Sequence, residues 1–251
     1  MTPRAFSAHL DDAPIGRILT RRELLAKLGA AGIAITASSK LALALDAVAA
    51  LALVPSCVVT PEQTEGPYFV DEHLKRSDIR SDPSDGSIRP GLPLDLTLRV
   101  ASVSSGGCAP LSGATVDIWH CDALGQYSDF QEEKSAGQKF LRGYQTADAG
   151  GAVRFTTIYP GWYQGRAVHI HFKIRSAAAG GKVHDFTSQL YFDEAVTDRV
   201  HSQPPYAARG LDRTKNIQDR IYLDHGSQLI PKLTRTASGY VAAFDVGLLI
   251  A

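Results

Sequence analysis

Short segments in which apolar and polar residues alternate, separated by glycine-bearing turns, dominate the sequence from about residue 60 onward. In residues 92–103 (LPLDLTLRVASV), four leucines and then Val100 occupy every second position, as expected of a strand with one buried face. Turn-forming stretches at 104–113 and 146–151 follow, without a regular alternation of strand and helix. The pattern predicts an all-β fold, an antiparallel β-sandwich with long loops. Further predicted strands cover residues 114–121, 152–159, 167–175, 185–192 and 239–250.

The region from residue 60 to 91 carries prolines, glycines and Asp/Ser pairs instead of a strand pattern. Because such residues favour turns, we expect an extended arm that wraps around the core. Helix is predicted only as a minor feature, around residues 206–221. Residues 56–251 are therefore interpreted as one sandwich domain, a length sufficient for a substantial hydrophobic core.

The first 55 residues have the features of an export signal. Arg21 and Arg22 precede an uncharged run at 28–39, which is shorter than the roughly 20 apolar residues of a membrane span. A basic pair, a short apolar region and a small-residue site at 47–49 are typical of export signals, and the arginine pair resembles a twin-arginine signal. This predicts a periplasmic or extracellular protein. A buried N-terminal helix and a lipid anchor at Cys57 are the alternatives.

Charge and cysteine content limit the partners of the chain. The 26 basic side chains offset 26 acidic ones, which removes the electrostatic case for nucleic acid or an anionic membrane as partner. Cys57, Cys108 and Cys121 lack the spacing of a zinc site, and in an oxidising compartment they allow one disulfide and one remaining thiol. Their pairing and the oligomeric state are left open by the sequence.

Two histidines separated by one residue form the strongest candidate site. In a strand, His169 and His171 point to the same face, whereas Ile170 and Phe172 point to the opposite face, where a core would lie. Two imidazoles side by side can bind one metal ion, although a packed polar pair is the ordinary alternative.

Two tyrosines strengthen the metal hypothesis. Tyr163 lies in a turn just before the histidine strand, and Tyr127 lies in a glycine-containing loop after another predicted strand. A phenolate is a hard anionic oxygen ligand that suits Fe(III) better than zinc or copper(I). Tyr159, at the end of the strand predicted at 152–159, shares the face of Val153 and is expected to pack inward.

Four segments, taken together, resemble the intradiol ring-cleaving dioxygenases, and in particular exported members without the helical dimerisation region. The resemblance implies a β-sandwich and a ferric ion, Fe(3+), held by Tyr127, Tyr163, His169 and His171. The segments are TPEQTEGPYF (60–69), GATVDIWHCDALGQYSDF (113–130), FLRGYQTADAGGAVRFTTIYPGWYQGRAVHIHFKIR (140–175) and SQLYFDE (188–194).

The resemblance also implies roles for four other residues. Arg166 would stabilise negative charge that develops on the substrate ring, and Gln189 would position the oxygenated intermediate. Pro67 and Tyr68, in the arm, would border the substrate. The implied reaction uses O2 to cleave a catechol-type diol between its two hydroxylated carbons, giving a cis,cis-muconate-type diacid, with Tyr163 leaving the metal to take up a proton.

Two other classes of protein remain as alternatives from the sequence. A transthyretin-like β-sandwich binding module would have the same strand pattern, with its histidines and tyrosines merely packed and no colour. A cupin-type Fe(II) or zinc enzyme would add a carboxylate or a third histidine to the His-x-His pair.

Overall fold

The computed structural model describes residues 58–177 and 183–250. The predicted export signal, Arg21 and Arg22, the domain boundary at 55/56 and the alternative lipid anchor at Cys57 lie outside the described residues. Of the two described cysteines, Cys108 is disulfide-bonded and Cys121 is a free, buried thiol. Within the same ranges, no helix has both the length and the apolar character needed to cross a bilayer.

In the described part of the chain, nine strands form two sheets that face each other across a core. The predicted sandwich is thereby confirmed. The strands are β1 (Pro93–Ser104), β2 (Gly107–Pro110), β3 (Thr115–Trp119), β4 (Arg142–Thr146), β5 (Ala152–Ile158), β6 (His169–Ala177), β7 (Val183–Tyr191), β8 (Lys232–Arg235) and β9 (Tyr240–Leu249).

Sheet A has the order β2–β1–β9–β8. Strands β5 and β2 both pair with the other edge of β1: β5 with its first part, from Pro93 to Arg99, and β2 with its last part, from Ala101 to Ser104. Sheet B has the order β4–β3–β6–β7 and is antiparallel throughout. The predicted antiparallel pairing holds for all but one of the described strand pairs. The exception is β1 with β9, which run parallel, in register from Leu94 opposite Tyr240 to Val103 opposite Leu249. A parallel pair needs a long connection, and here nearly the whole domain serves as that connection.

The core lies between the sheets and is built by the alternation visible in the sequence. In β1, Leu94, Leu96 and Leu98 are fully buried, and the side chains between them are less buried. From sheet B, Ile170 and Phe172 meet them in the same cluster. The opposite face of sheet B carries Asp117, Trp119, His169, His171 and Gln189, all of them buried. This outer face of sheet B is therefore covered by other parts of the chain.

The arm at 60–91 provides much of that cover, as predicted. It contains no strand longer than an isolated bridge and attaches to both sheets, at Lys75 opposite Tyr144 and at Asp78 opposite Thr156. Helix α1 covers Glu194–His201. The helix expected at 206–221 is instead broken into a 3-10 turn at Tyr206–Arg209, a second 3-10 turn at Asn216–Gln218 and a short helix, α2, at Arg220–Leu223. Gly210, with a positive φ of 80°, ends the first of these turns and separates it from the second.

Candidate metal centre

The two histidines of β6 lie side by side on the outer face of sheet B, as the alternation predicted. Their Nε2 atoms are 2.9 Å apart, and both rings are buried. Trp119, directly opposite His171 on β3, stacks on the His171 ring at 4.9 Å with an interplanar angle of 6°. Neighbouring strands β3 and β6 therefore place the two imidazoles and the Trp119 ring against one another.

Two tyrosines from separate loops bring their phenol oxygens to the same point. Tyr127, in the loop between β3 and β4, places its hydroxyl 3.5 Å from His169 Nε2. Tyr163, in the loop between β5 and β6, places its hydroxyl 3.4 Å from the same atom. Tyr159 lies elsewhere, fully buried and with its hydroxyl 2.7 Å from Thr197 Oγ1. The structure thus brings together the four residues that the sequence singled out and leaves Tyr159 in the core.

The loops that carry these tyrosines contact each other through glycines. Gly161 N–H donates to the Asp122 carbonyl at 3.1 Å, and a Cβ added to Gly161 would lie 2.3 Å from that oxygen. A Cβ on Gly125, which has a positive φ of 86°, would lie 2.2 Å from the Trp162 carbonyl oxygen. Only glycine lets the backbones of the two loops approach so closely. The distance between the loops in turn determines the distance between the two phenols.

Residues of the arm pack against the tyrosines and His171 of the site. The Tyr68 ring stacks on the Tyr127 ring at 4.0 Å and 4° and meets the edge of Tyr163 at 5.7 Å. Gly66 lies against His171, since a Cβ there would be 3.5 Å from His171 Cε1. Pro67 is exposed between them. Of the two arm residues predicted at the site, Tyr68 therefore contacts it and Pro67 lies at its outer rim.

Arg166 and Gln189 meet beside the histidines. Gln189 lies opposite His171 on β7, and its side-chain oxygen accepts a hydrogen bond from the Arg166 guanidinium. The Gln189 amide nitrogen donates to the Thr64 carbonyl at 2.9 Å. Although burial disfavours a charged guanidinium, the neighbouring Tyr163 and Asp219 raise the pKa of Arg166. A fixed positive charge thus lies next to the donor cluster.

Burial determines the protonation of the four donors. It lowers the pKa of His169 and His171 well below the usual histidine value, so both imidazoles are neutral. The Ala167 carbonyl accepts a hydrogen bond from His169 Nδ1 at 2.6 Å, which leaves a lone pair on Nε2 pointing into the site. Burial raises the pKa of Tyr127 and Tyr163, so these phenols need a nearby cation to ionise.

The four donors fit a single metal ion. Metal–nitrogen bonds of about 2.0–2.1 Å would place neighbouring donors of one cation about 3 Å apart. The separations from His169 Nε2 to the other three donor atoms are 2.9–3.5 Å. Neutral imidazoles and ionisable phenols form an N/O set that suits a hard trivalent ion such as Fe(III).

The carboxylate-containing site of the cupin-type alternative is not found in the described part of the chain. There, no group of three or more His, Cys, Asp or Glu side chains is placed to hold a cation. The donors that converge on the histidine pair are phenols.

Sequence reasoning missed three residues that shape the site. Trp119 and Tyr191 lie on the same face of sheet B as the histidines, opposite His171 and His169, and the strand alternation could have indicated both. Asp219 is buried and forms an ion pair with Arg166 at 3.0 Å. Its only local signal is that of a helix N-cap before α2.

The geometry agrees with what the chain is similar to. A family model described as Dioxygenase matches residues 64–211. An intradiol ring-cleavage dioxygenase from Tetranychus urticae is 32% identical, with a TM-score of 0.66, over 77% of this chain and 95% of that one. The dioxygenase domain of a carbohydrate-binding fusion protein from Streptomyces sp. SirexAA-E is 30% identical, with a TM-score of 0.56, over 77% and 99% of the two chains.

Characterised enzymes match over a smaller share of their length. Catechol 1,2-dioxygenase 1 of Acinetobacter lwoffii is 25% identical over 192 residues, which are 66% of this chain and 59% of that enzyme. Chlorocatechol 1,2-dioxygenase of Pseudomonas sp. (strain P51) is 28% identical over 147 residues, 51% of this chain and 54% of that enzyme. The chain therefore spans little more than half the length of these two relatives.

Proposed function

Because the chain belongs to the intradiol ring-cleaving dioxygenase family, we propose that it cleaves a catechol-type aromatic diol between the two hydroxylated carbons. Both atoms of O2 enter the product, a cis,cis-muconate-type diacid, so that no other oxidant or reductant is needed. The observation that carries the proposal is that two phenol oxygens and the Nε2 atom of a second neutral imidazole lie within 3.5 Å of His169 Nε2.

We assign Tyr127, Tyr163, His169 and His171 as the residues that would hold Fe(III). When bound, this ion would supply Lewis acidity for deprotonating the diol and a route for electrons from the diol to O2. The same positive charge would favour the phenolate forms of both tyrosines, whose pKa values burial otherwise raises.

The two tyrosines differ in the freedom they have to move a proton. Tyr127 is fully buried, under the stacked ring of Tyr68. Tyr163 also lies in a loop between strands but is only partly buried. We therefore assign Tyr163 as the base that accepts one diol proton at its phenolate oxygen, and Tyr127 as the tyrosine that stays in place.

Arg166 and Gln189 would act on the substrate side of the site. The guanidinium keeps its charge and lies against Gln189 Oε1, so it can stabilise negative charge on the ring as the second proton leaves. Gln189, anchored through its nitrogen to Thr64, would orient the oxygenated substrate. Tyr68 and Gly66 of the arm exclude water from the donors.

The names of the relatives support a substrate class. By name, they act on catechol, chlorocatechol and protocatechuate, which share a pair of adjacent ring hydroxyls. Two neighbouring oxygens can bind one metal ion together, and we propose that such a diol is the substrate here.

The test is the colour, metal content and activity of the purified chain. We expect about one iron per chain, visible absorption from phenolate-to-iron charge transfer, O2 uptake with catechol, and a diacid product identified by its mass. A protein that stays colourless and inactive after iron loading would contradict the proposal. It would favour the alternative, a transthyretin-like binding module.

We also propose that residues 1–55 direct export, as the Arg21–Arg22 pair suggests. Changing both arginines to lysine is expected to leave folded, precursor-length protein in the cytoplasm, as followed by cell fractionation and immunoblotting. Arg17→Lys is the matched control, since it changes a nearby arginine outside the pair. Normal export of the double variant would point to a general secretory signal.

A further inference from the structure

A segment beyond the family match contributes a buried charge to the site. The family model ends at residue 211, whereas Asp219 lies at the start of α2. The Asp219 side chain is only 1% exposed. Its Oδ2 atom accepts hydrogen bonds from Arg166 Nε at 3.0 Å and from Ala167 N–H at 2.9 Å, and its Oδ1 atom accepts one from Ile221 N–H at 2.9 Å.

These contacts belong to a closed circuit of hydrogen-bonded residues that lies beside the four donor residues. From Arg166 the circuit passes to Gln189 Oε1 and then to the Tyr191 hydroxyl at 3.1 Å. That hydroxyl is 2.9 Å from Gln63 Oε1. The Gln63 amide nitrogen donates to the carbonyls of Ile221 and Asp224 at 2.9 and 2.7 Å, which returns the circuit to the segment of Asp219.

Asp219 contacts Arg166 at Nε, whereas Gln189 contacts it at Nη2. An arginine side chain has several rotatable bonds, and a buried guanidinium without a partner is costly. The carboxylate fixes Nε, and Ala167, next in sequence to Arg166, is held by the same oxygen. With Nε held in this way, Nη2 donates to Gln189 Oε1 and lies 3.5 Å from the Tyr191 hydroxyl.

We propose that Asp219 is a positioning residue, which acts through Arg166 and holds its guanidinium where charge develops on the substrate. The proposal rests on the function proposed above. It means that the segment around residues 219–224, although outside the matched domain, is part of the working site.

The first experiment compares Asp219→Asn with Asp245→Asn. Asp245 pairs with Arg99 Nε at 2.5 Å in sheet A, so the control removes an equivalent carboxylate away from the site. We expect Asp219→Asn to lower kcat with catechol at least tenfold and to change KM less than twofold, while the iron content and colour persist. The control is expected to keep the parent kcat. Parent-like kcat in Asp219→Asn would overturn the proposal.

A double-mutant cycle tests whether Asp219 acts through the arginine. In an Arg166→Ala background, Asp219→Asn is expected to have no further effect on kcat, because the group that it positions is gone. An equal fold-loss in both backgrounds would show an independent role and overturn the proposal. If Asp219→Asn does not fold, Asp219→Ser replaces it, since serine keeps the N-cap of α2 and loses the reach to Arg166.

A readout independent of turnover separates this inference from the proposed function. In the full chain with Ga(III), a diamagnetic ion, the Arg166 Nε–H NMR signal is expected to exchange slowly with solvent in the parent and in Asp245→Asn, and rapidly in Asp219→Asn. If the parent protein showed this exchange pattern but had no activity, the proposed reaction would be contradicted and the Asp219–Arg166 pair would still be supported. Unchanged slow exchange in Asp219→Asn would overturn the pair itself.

Discussion

Tyr159 and Tyr163 are four residues apart, yet their hydroxyls have different surroundings. Tyr163 points at His169, and Tyr159 donates or accepts one hydrogen bond with Thr197 inside the core. Tyr163→Phe is expected to remove one phenolate, shift or bleach the visible band and slow turnover, with the fold retained. Tyr159→Phe is expected to keep the colour and lose about 1 kcal/mol of unfolding free energy. Absorption spectra and urea unfolding measure both variants.

If Tyr159→Phe lost the colour and Tyr163→Phe kept it, Tyr159 would be the metal ligand instead of Tyr163. That result would leave the family membership of the chain intact, because that rests on the match over residues 64–211.

Arg166 offers a second prediction at this scale. Arg166→Ala is expected to leave iron and colour largely intact and to lower kcat about a hundredfold, since losing one charged stabiliser in a closed site costs on the order of 3 kcal/mol. Steady-state O2 uptake measures the loss. Arg154→Ala, an exposed arginine on β5, serves as the control. Parent-like turnover in Arg166→Ala would make this arginine a structural residue.

Local pattern was sufficient to place some of these residues and not others. The i, i+2 spacing of His169 and His171 fixes their shared face in any strand, and the structure confirms it. Tyr127 and Tyr163 were indicated by their loop positions beside predicted strands and by resemblance to a family, and Arg166 and Gln189 by that resemblance alone. Asp219 could not be found in this way, because it lies beyond the matched region and contacts Arg166 only after the chain has folded back.

At the scale of elements, the site depends on contact between the two tyrosine-bearing loops. Gly161→Ala would place a methyl group 2.3 Å from the Asp122 carbonyl, so the loops must separate. We expect weaker iron binding and a shifted visible band, measured by iron titration with absorption spectroscopy. Gly106→Ala is the matched control, since its nearest atom would be 3.8 Å away and, as for Gly161, its φ is not positive. Parent-like iron affinity in Gly161→Ala would show that the phenol separation tolerates loop movement.

All six predicted strands are present, with ends that differ by at most two residues. Alternation indicated them because one face of each strand meets the core, as in β1 and β6. Strands β2, β4 and β8 were not predicted, since they have four or five residues and few buried positions. Strands that short carry too little alternation to differ from a loop. The parallel pairing of β1 with β9 is a tertiary feature that no local pattern contains.

At the scale of the whole molecule, buried histidines make stability depend on pH. Burial lowers the pKa of His120 to about 4, and that of His201 to about 4 as well. The unfolded chain binds more protons between the unfolded pKa of about 6.5 and pH 4, so unfolding free energy falls as the pH falls through this window. We expect His120 alone to lower the free energy of unfolding by about 2 kcal/mol when the pH falls from 7.5 to 5.

Urea unfolding at the two pH values tests this expectation. His120→Gln should show a smaller loss of stability on acidification than the parent. His73→Gln is the control, because it makes the same substitution at a histidine side chain that is 82% exposed. An identical slope in His120→Gln would assign the acid sensitivity to other groups.

The position of β9 between β1 and β8 determines when this molecule can assemble during synthesis. A ribosome-bound chain that still lacks residues 240–249 has a missing strand in the middle of sheet A, so β1 presents an unpaired edge and part of its apolar face to the cytosol. Closing so long a loop is entropically slow. We therefore expect ribosome-stalled chains that have not released β9 to be readily cut by protease and chains that have released β9 to resist it, so that sheet A, and with it the joining of the arm to the outer face of sheet B, waits for β9.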